Sequence, residues 1–581
     1  MDKQQVADIL EEIGTLLELK GENPFKCRAF HNAARTIGAL TQDLKDLVST
    51  GELRKIKGIG QALSDNITEI VQTGKMVYFD QLKASLPAGL LEMVRIQGLG
   101  PKRIKILYEK LDIKSVEELK TACEQHKLAN LEGFGEKTEA NILNGIELLK
   151  KHIDKHHYSK AKIAADRILE RIKAQKGVIQ CEIAGSLRRK KEVIGDIDIL
   201  VSAKPADAGK IMEAFTSHPD VEQIIGKGDT KSSVLLKSSI NCDLRVVEEN
   251  EFPFALNYFT GSKEHNIEMR SRAKKYGWSL NEYGFSELGT EEKRGKAKRI
   301  VKCKTEQDIY KALDLSYIYP ELRENMGEFE ASEKDILPKL VEYSDIKGTF
   351  HCHTTYSDGA NTLLEMAEAT IKLGWEYLGI ADHSKIATYA GGLSEEKVKQ
   401  QFKEIEQLNK TFTNFRLFKG TEVDILPDGS LDWSDKVLAG FDYVVASIHS
   451  KFKMTEKEGT ERIIKAIKNK YVTMLGHPTG RLLLERDGYP VNMKDVIDAA
   501  SDYGKIIEIN SHPYRLDLDW RWCRYAKEKG VKICLNPDAH RTDGITDVQY
   551  GVGIARKGWL EKPDIVNTMS VNDIVKLLKL K

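Results

Sequence analysis

The chain has 581 residues, too many for one core; at about 150 residues per domain, roughly four units are expected. Lys and Arg number 89 against 88 Asp and Glu, a net charge of +1, which excludes a uniformly basic, histone-like protein but allows local basic faces. With 41% hydrophobic residues the chain can fill several cores and is not chiefly disordered. No apolar run approaches the roughly 20 residues that span a bilayer, and the start MDKQQVADILEEIG is charged from its second residue. Eight cysteines without a CxxC pair fit a reducing compartment rather than a disulfide scaffold. A soluble, cytoplasmic, multidomain protein without membrane contact is expected.

Residues 1 to about 150 read as short amphipathic helices. A glycine phrase recurs there as Gly58-Ile59-Gly60, Gly98-Leu99-Gly100 and Gly133-Phe134-Gly135, each between two helical patterns. Glycine lacks the Cβ that would keep backbone amides away from an anionic oxygen. The helix that follows aims its N-terminal N–H groups at the same spot. Lys102 and Arg103 follow the second turn and can add charge. A single GxG is as readily a tight helix–helix turn. Three within about 80 residues resemble helix-hairpin-helix motifs, which implies a grip on nucleic-acid backbone without sequence readout, with Gly58, Gly60, Gly98, Gly100 and Lys102 as DNA contacts.

From about 160 to 320 the pattern becomes mixed, with strand-like DIDILV (196–201) and NCDLRVV (241–247). Strand alternation puts Asp196 and Asp198 side by side on one face, and Asp243 lies on the second strand. Carboxylates so placed are costly without a cation, and three that converge suit two divalent metals about 3.5–4 Å apart. Ser186 and Arg189, on the glycine turn GSLRR, are placed to hold phosphates. A solvated acidic strand is the plain alternative, but GS…GDIDIL is a whole constellation.

GSLRRKKEVIGDIDIL resembles the nucleotidyltransferase signature of family X DNA polymerases, the family of DNA polymerase beta, and KGDTKSSVLL (227–236) is similar to its palm strand. YFTGSKEHNIEMR (258–270) is similar to its nucleotide-binding segment. The resemblance covers about residues 1–320. It implies Asp196, Asp198 and Asp243 as the catalytic ligands of two Mg²⁺ or Mn²⁺ ions, with Gly185, Ser186, Arg189, Gly195, Tyr258, Phe259, Gly261 and Asn266 binding the nucleotide. Tyr258 and Phe259 would pack on the sugar and exclude a ribose, Asn266 would touch the minor-groove edge of the new pair, and Arg270 the template strand. One departure matters: where lyase-active members carry a Schiff-base lysine, this chain has Asn66, whose amide cannot form an imine. Lys55 and Lys57 lie close by without any sign of an activated amine, so a 5′-phosphate-binding role without lyase activity is expected.

The acidic stretch 321–345 has weak periodicity and reads as a linker. Beyond about 346, apolar strand-like runs alternate with helical patterns. Histidines and carboxylates stand at the ends of those runs, in GTFHCHTTYSD, YLGIADHS, YVVASIHS, VTMLGHP, IIEINSH and KICLNPDAH. A parallel barrel gathers such ends on one face, making a multinuclear metal site with imidazoles suited to Zn²⁺, Mn²⁺ or Fe²⁺. The pattern resembles the polymerase and histidinol phosphatase (PHP) domain, a distorted (β/α)7 barrel with a trinuclear centre. By that resemblance His351, His353, Glu422 and Asp538 bind one metal. Glu422 bridges to a second held by His449 and His477, and Asp358, His383 and His540 hold the third. His512, Arg481 and Arg515 could hold substrate phosphate, with an ordinary structural role at least as good for each.

The expected order is a helical DNA-binding domain over 1–85, fingers with helix-hairpin-helix motifs over 86–155, an α+β palm over 156–252, a thumb over 253–320, the linker over 321–345 and the barrel over 346–581. The two resemblances together imply a monomeric repair polymerase that uses dNTPs to fill gaps in primer-template DNA during base excision repair. It would be joined to a Mn²⁺-favoured 3′-to-5′ exonuclease, with AP-endonuclease or 3′-phosphatase action conceivable in the same pocket. Two rivals are a small-molecule phosphatase, which has no need of three backbone-gripping turns, and a DNA end-binding scaffold, which would be expected to have lost ligands.

Overall fold

The computed structural model describes residues 3–38, 40, 44–56, 58–96, 99–129, 131, 133–152, 154–288 and 300–580. The chain divides into two compact units, Met1–Ile153 and Asp154–Lys581. No described helix is long and apolar enough to cross a membrane.

The first unit is helical: α1 (Lys3–Lys20), α2 (Pro24–Gly38), α3 (Leu44–Ser49), α4 (Gln61–Thr73), α5 (Val77–Ala84), α6 (Ala88–Val94), α7 (Pro101–Leu111), α8 (Val116–Glu124) and α9 (Glu136–His152). Helical spacing explains the packing. Leu63, Ile67 and Ile70 bury one stripe of α4, and Ile104 and Leu107 one stripe of α7. Two cores result, one under α1 to α5 and one under α6 to α9.

The second unit begins with β1 (His156–His157), α10 (Tyr158–Lys173), β2 (Val178–Ile183), α11 (Gly185–Arg188), β3 (Val193–Ile194), β4 (Asp196–Ala203), α12 (Pro205–Thr216), β5 (Val221–Lys227), β6 (Lys231–Leu236) and β7 (Asn241–Val247). Strands β2-β4-β7-β6-β5 form one sheet in that order, with β4 and β7 parallel. Ile197 and Ile199 of β4 turn into a core shared with α10 and α12, which leaves the opposite face for Asp196 and Asp198. Then come α13 (Phe252–Thr260), α14 (Lys263–Lys275), β8 (Trp278–Asn281), β9 (Gly284–Glu287), α15 (Glu306–Ala312) and α16 (Glu328–Glu333). The stretch expected to be a linker is packed structure. Arg323 and Glu328 are fully buried, Arg323 pairing with Glu306 at 2.7 Å and Glu328 with His265 at 2.9 Å.

The rest alternates strand and helix: β10 (Gly348–Cys352), α17 (Leu363–Lys372), β11 (Tyr377–Ile380), α18 (Glu395–Asn409), β12 (Arg416–Asp424), α19 (Asp435–Leu438), β13 (Tyr443–Ser447), α20 (Glu456–Ile467), β14 (Met474–Leu475), α21 (Met493–Asp502), β15 (Ile506–Asn510), α22 (Trp520–Glu528), β16 (Ile533–Asn536), α23 (Val548–Lys557) and α24 (Val571–Leu577). The seven strands β10 to β16 are parallel and neighbour one another in chain order. A bridge between Cys352 and Ala539 joins the two ends into a barrel, as the sequence pattern implied.

Inside the barrel, apolar and polar residues separate by height. Phe350, Phe418, Tyr443, Met474, Ile506 and Cys534 fill the lower interior, while Ile507, Ile509, Ile533 and Leu535 face the surrounding helices. Two-residue periodicity then carries Glu422 and Asp424 of β12, Glu508 and Asn510 of β15 and Asn536 of β16 into the upper interior. Strand β10 would place His351 outward by the same count. Its pairing shifts between Thr349 and Cys352, and His351 takes a left-handed backbone (φ 55°). This irregularity re-aims the side chain inward.

Candidate active sites

In the first unit, Gly60 and Gly100 are the N-caps of α4 and α7, and neither helix start has a side-chain cap. The first amides of α4 are therefore available to an anion. By contrast, α7 opens on Pro101, which has no N–H, and Arg103 N already donates to the Gly100 carbonyl at 2.9 Å, so Lys102 supplies the open amide there. Gly58 and Gly133 adopt positive φ of 93° and 83°, and a Cβ at Gly58, Gly60, Gly100, Gly133 or Gly135 would meet nothing within 4 Å. Lys102 is exposed on α7. Gly98 and Lys57 lie outside the described residues. Asn66 lies on α4, and Lys55 pairs with Glu52 as an exposed ammonium.

In the sheet of the second unit, the register sets Asp198 beside Asp243 and Asp196 beside Asn241, so the three aspartates share one face. Burial first, then repulsion from Asp196 and Asp243, pushes the Asp198 carboxyl up to about 7. Lys231 supplies a counter-charge, 2.6 Å from Asp243 Oδ2. Three crowded carboxylates, one of them held near neutrality, are a donor set that suits divalent cations. Gly185 (φ 63°) admits no side chain, since a Cβ would lie 2.3 Å from Asp198 Oδ2. Ser186 is partly exposed on α11, and Arg189 follows that helix as its C-cap.

Arg188 is structural: it holds Glu306 at 2.6 and 3.1 Å and Thr260 Oγ1 at 2.6 Å. Arg189 donates through Nε to Glu324 at 3.1 Å and through Nη1 to the Thr260 carbonyl, beside Gly261. Gly195 leads into β4. The Tyr258 and Phe259 rings meet edge-on at 5.2 Å, with Arg245 over Phe259 at 4.5 Å. Asn266 donates to the Tyr258 carbonyl at 2.7 Å, and Tyr258, Asn266 and Arg270 line one small cavity.

The barrel brings together all nine residues that its sequence pattern singled out. Glu422 sits at the centre, with Oε1 at 3.0 to 3.2 Å from ring nitrogens of His351, His449 and His477, and Oε2 at 3.0 Å from His383. His353 stands 3.1 Å from Asp538, and Asp358 lies 3.7 and 3.4 Å from His383 and His540. Three groups of donor atoms lie close enough to share a cation: His353, Asp358, His383 and His540; His351, His353 and Asp538; and His383, Glu422 and His449. All three differ from the expected partition: the first gains His353, the second lacks Glu422, and the third has His383 where His477 was expected, His477 being in none of them.

Several of these atoms are buried without a directed hydrogen bond: His351 Nε2, both nitrogens of His353, His383 Nδ1, His449 Nδ1 and His477 Nδ1. All but His477 Nδ1 stand close to carboxylates, and His351, His353, His383 and His449 belong to the clustered donor groups, which is how metal ligands are arranged. Electrostatics agree. Burial, with His540 and His383 beside it, holds His353 down at about 3 and so neutral. Burial also opposes charge on His351, but Glu508, Glu422 and Asp538 outweigh it and push that imidazole well above its ordinary value. Burial would raise Glu422, yet His449, His351 and His383 hold it well below the carboxylate range. His351, His477 and Asp538 all have positive φ, backbone strain concentrated where these side chains converge.

Sequence reasoning missed the residues that orient these side chains. Glu508 accepts from His351 Nδ1 at 2.6 Å, the His477 amide at 2.9 Å and Asn536 at 2.7 Å. Asp382 accepts from Thr354 N and Oγ1, Ser357 and Gln401, fixing the loop from His353 to Asp358. A carboxylate amid the apolar run IIEIN was the available signal for Glu508. Of the weaker candidates, Arg481 braces Asp519 and two backbone carbonyls and is structural. His512 accepts from the Tyr514 amide, and Arg515 stands 3.7 Å from Asp538. Glu508→Gln is expected to weaken Mn²⁺ binding by the barrel about 10- to 100-fold, the usual effect of losing an outer-sphere carboxylate. Calorimetric titration of the metal-free protein checks this, and unchanged affinity refutes it.

Comparison with known proteins follows the same division. Residues 1–76 match the helix-hairpin-helix domain family, 90–147 the SAM-like helix-hairpin-helix tandem, 255–324 the DNA polymerase beta thumb and 349–512 the PHP domain. A Bacillus subtilis protein named DNA polymerase/3′-5′ exonuclease PolX is 40% identical over 582 residues, covering 100% of both chains. A Thermoanaerobacter protein named "Probable phosphatase" is 30% identical over 242 residues, 40% of this chain and 94% of its own. An Acetivibrio thermocellus protein of the same name is 30% identical over 199 residues, 33% of this chain and 78% of its own.

Proposed function

Because the chain belongs to the family X DNA polymerases that carry a C-terminal PHP domain, we propose that it extends primer 3′ ends in gapped DNA and trims 3′ ends in its barrel. The observation that carries this reading is the presence of two separate acidic centres, the Asp196–Asp198–Asp243 face and the nine-residue barrel cluster. Divalent cations bound there supply Lewis-acid activation and charge neutralisation: two Mg²⁺ or Mn²⁺ in the palm, and three ions of Mn²⁺, Zn²⁺ or Fe²⁺ in the barrel.

The chain's own groups do the rest. Asp196, Asp198 and Asp243 would hold the palm cations, with Lys231 as the counter-charge of Asp243 in their absence. The Gly185–Ser186 turn and Arg189 bind the triphosphate, with Gly195 and Gly261 giving the nucleotide room. Tyr258 and Phe259 form the floor under the deoxyribose, Asn266 reads the pair from the minor groove, and Arg270 holds the template. Gly58, Gly60, Gly98, Gly100 and Lys102 grip the DNA backbone. In the barrel, His351, His353, Asp358, His383, Glu422, His449, His477, Asp538 and His540 are the ligands, and Arg515 faces the substrate phosphate. The chain acts as a monomer in base excision repair in the cytoplasm, a placement supported by eight buried cysteines without a disulfide. With an amide at Asn66, the first domain holds a 5′ phosphate without lyase chemistry.

The test is a gapped duplex, 5′-phosphorylated in the gap and labelled on the primer, incubated with Mn²⁺ with and without dNTPs. Asp243→Ala is expected to lose extension alone and His353→Ala to lose shortening alone, each by about 10³-fold or more. Shortening that survives in His353→Ala would move the nuclease out of the barrel. Tight DNA binding with neither activity would make the protein an end-binding scaffold.

A further inference from the structure

Helix α23 of the barrel domain turns one face to the palm. Tyr550, Gly553 and Lys557 recur at helical spacing. The Tyr550 ring meets Tyr158 of α10 edge-on at 6.0 Å. Gly553 packs on the stem of Lys190, whose Nζ donates to the Tyr158 hydroxyl at 2.8 Å. Lys557 closes the row and is fully buried. Its Nζ donates to Glu324 Oε1 at 2.5 Å, the Arg189 carbonyl at 3.2 Å and the Glu321 carbonyl at 3.4 Å.

The same Glu324 oxygen accepts from Arg189 Nε at 3.1 Å, and Lys191 lies 3.8 Å from the other oxygen. The plane of the Arg189 guanidinium is therefore set by a carboxylate shared with a lysine of the barrel domain. Burial makes Lys557 costly unless it is well paired, and its three acceptors all belong to the polymerase half.

We propose that Lys557 is a positioning residue for nucleotide addition: through Glu324 it fixes the orientation of Arg189, so that the barrel domain completes the triphosphate-binding turn of the palm. This rests on the reading of Arg189 as a triphosphate ligand. It gives the joining of the two halves in one chain a mechanical reason besides shared substrate.

The test is steady-state single-nucleotide incorporation on the gapped duplex by the full chain. The variants are Lys557→Met, Lys557→Arg, Glu324→Gln and Arg189→Ala, with 3′ shortening and thermal melting measured in parallel. Lys557→Met and Glu324→Gln are expected to raise KM for dNTP about tenfold with kcat within about threefold, the pattern of lost nucleotide binding. Lys557→Arg should restore KM to within about threefold, and shortening should stay within about twofold throughout. Should Lys557→Met fail to fold, Glu324→Gln tests the same contact from the polymerase side. If Arg189→Ala raises KM while Lys557→Met and Glu324→Gln leave it unchanged, the proposal is overturned and the reading of Arg189 stands. Loss of KM, kcat, shortening and melting temperature together would make Lys557 mere packing and overturn it as well. An unchanged KM in Arg189→Ala removes the reading of Arg189 itself and the proposal with it.

Discussion

Asp198→Asn is expected to abolish primer extension, leave 3′ shortening within about twofold, and raise the melting temperature of the metal-free palm. The last effect follows from crowding: burial, Asp196 and Asp243 together push the Asp198 carboxyl to about 7. The folded palm therefore holds a proton that the unfolded chain, with an ordinary Asp near 3.9, has released. Between those values stability falls as pH rises, and above 7 the ionised group repels its neighbours. Asparagine keeps the shape and removes that repulsion, so the gain should be larger at pH 8 than at pH 5. A divalent cation must displace the same proton. The Mg²⁺ concentration needed for half-maximal extension should thus rise up to about tenfold per pH unit below 7 and level off above it. Melting curves of both proteins in chelator, and Mg²⁺ titrations of extension across pH 6 to 8, decide the matter. A variant that melts lower than wild type at pH 8, or a flat Mg²⁺ requirement, would sink this account.

What could be read from the sequence depended on whether the chemistry was local. His351, His353 and Asp358 stand within eight residues, and His383, His449, His477 and Asp538 each end an apolar run, so the barrel cluster was visible as a repeated placement. The β4 aspartates were visible because alternation alone puts them on one face. The stretch 321–345 misled because composition does not show pairing. Arg323 and Glu328 look like solvated charges, but Glu306 and His265 bury them, and Glu324 meets its partner Lys557 233 residues away. The inward turn of His351 was likewise hidden, since it depends on a backbone irregularity in β10 and not on residue type. Glu508 and Asp382 were missed because carboxylates inside barrel strands or beside a ligand carry no spacing signature of their own. The hairpin glycines show the converse. Their open faces at Gly60 and Gly100 were legible because glycine is defined by what it lacks.

Glu422→Gln is expected to have the largest effect on the barrel: loss of bound metal, a fall in 3′ shortening of about 10³-fold or more, and extension within about twofold of wild type. One carboxylate serves five imidazoles, with His351, His449 and His477 on one oxygen and His383 and, at 3.8 Å, His353 on the other. No other ligand touches so many. The amide keeps the volume but offers one neutral acceptor where two charged oxygens stood, so the charge that would attract a cation is lost. The metal-free protein should also melt earlier at neutral pH. Burial would raise Glu422, but the imidazoles hold it well below the carboxylate range. Its contribution to stability is therefore present above the ordinary Glu value and lost as pH falls through the depressed one. The substitution also leaves His449, which Glu422 and Asp424 raise against burial to about 10, with one buried counter-charge fewer. Wild type should gain thermal stability on adding Mn²⁺ or Zn²⁺ in proportion to occupancy, and the variant should gain almost none from the barrel. Elemental analysis of both proteins, with melting curves in chelator and in metal, checks the prediction. A variant that keeps its full metal complement and its shortening activity would remove Glu422 from the centre of the site and require another residue to join the histidines.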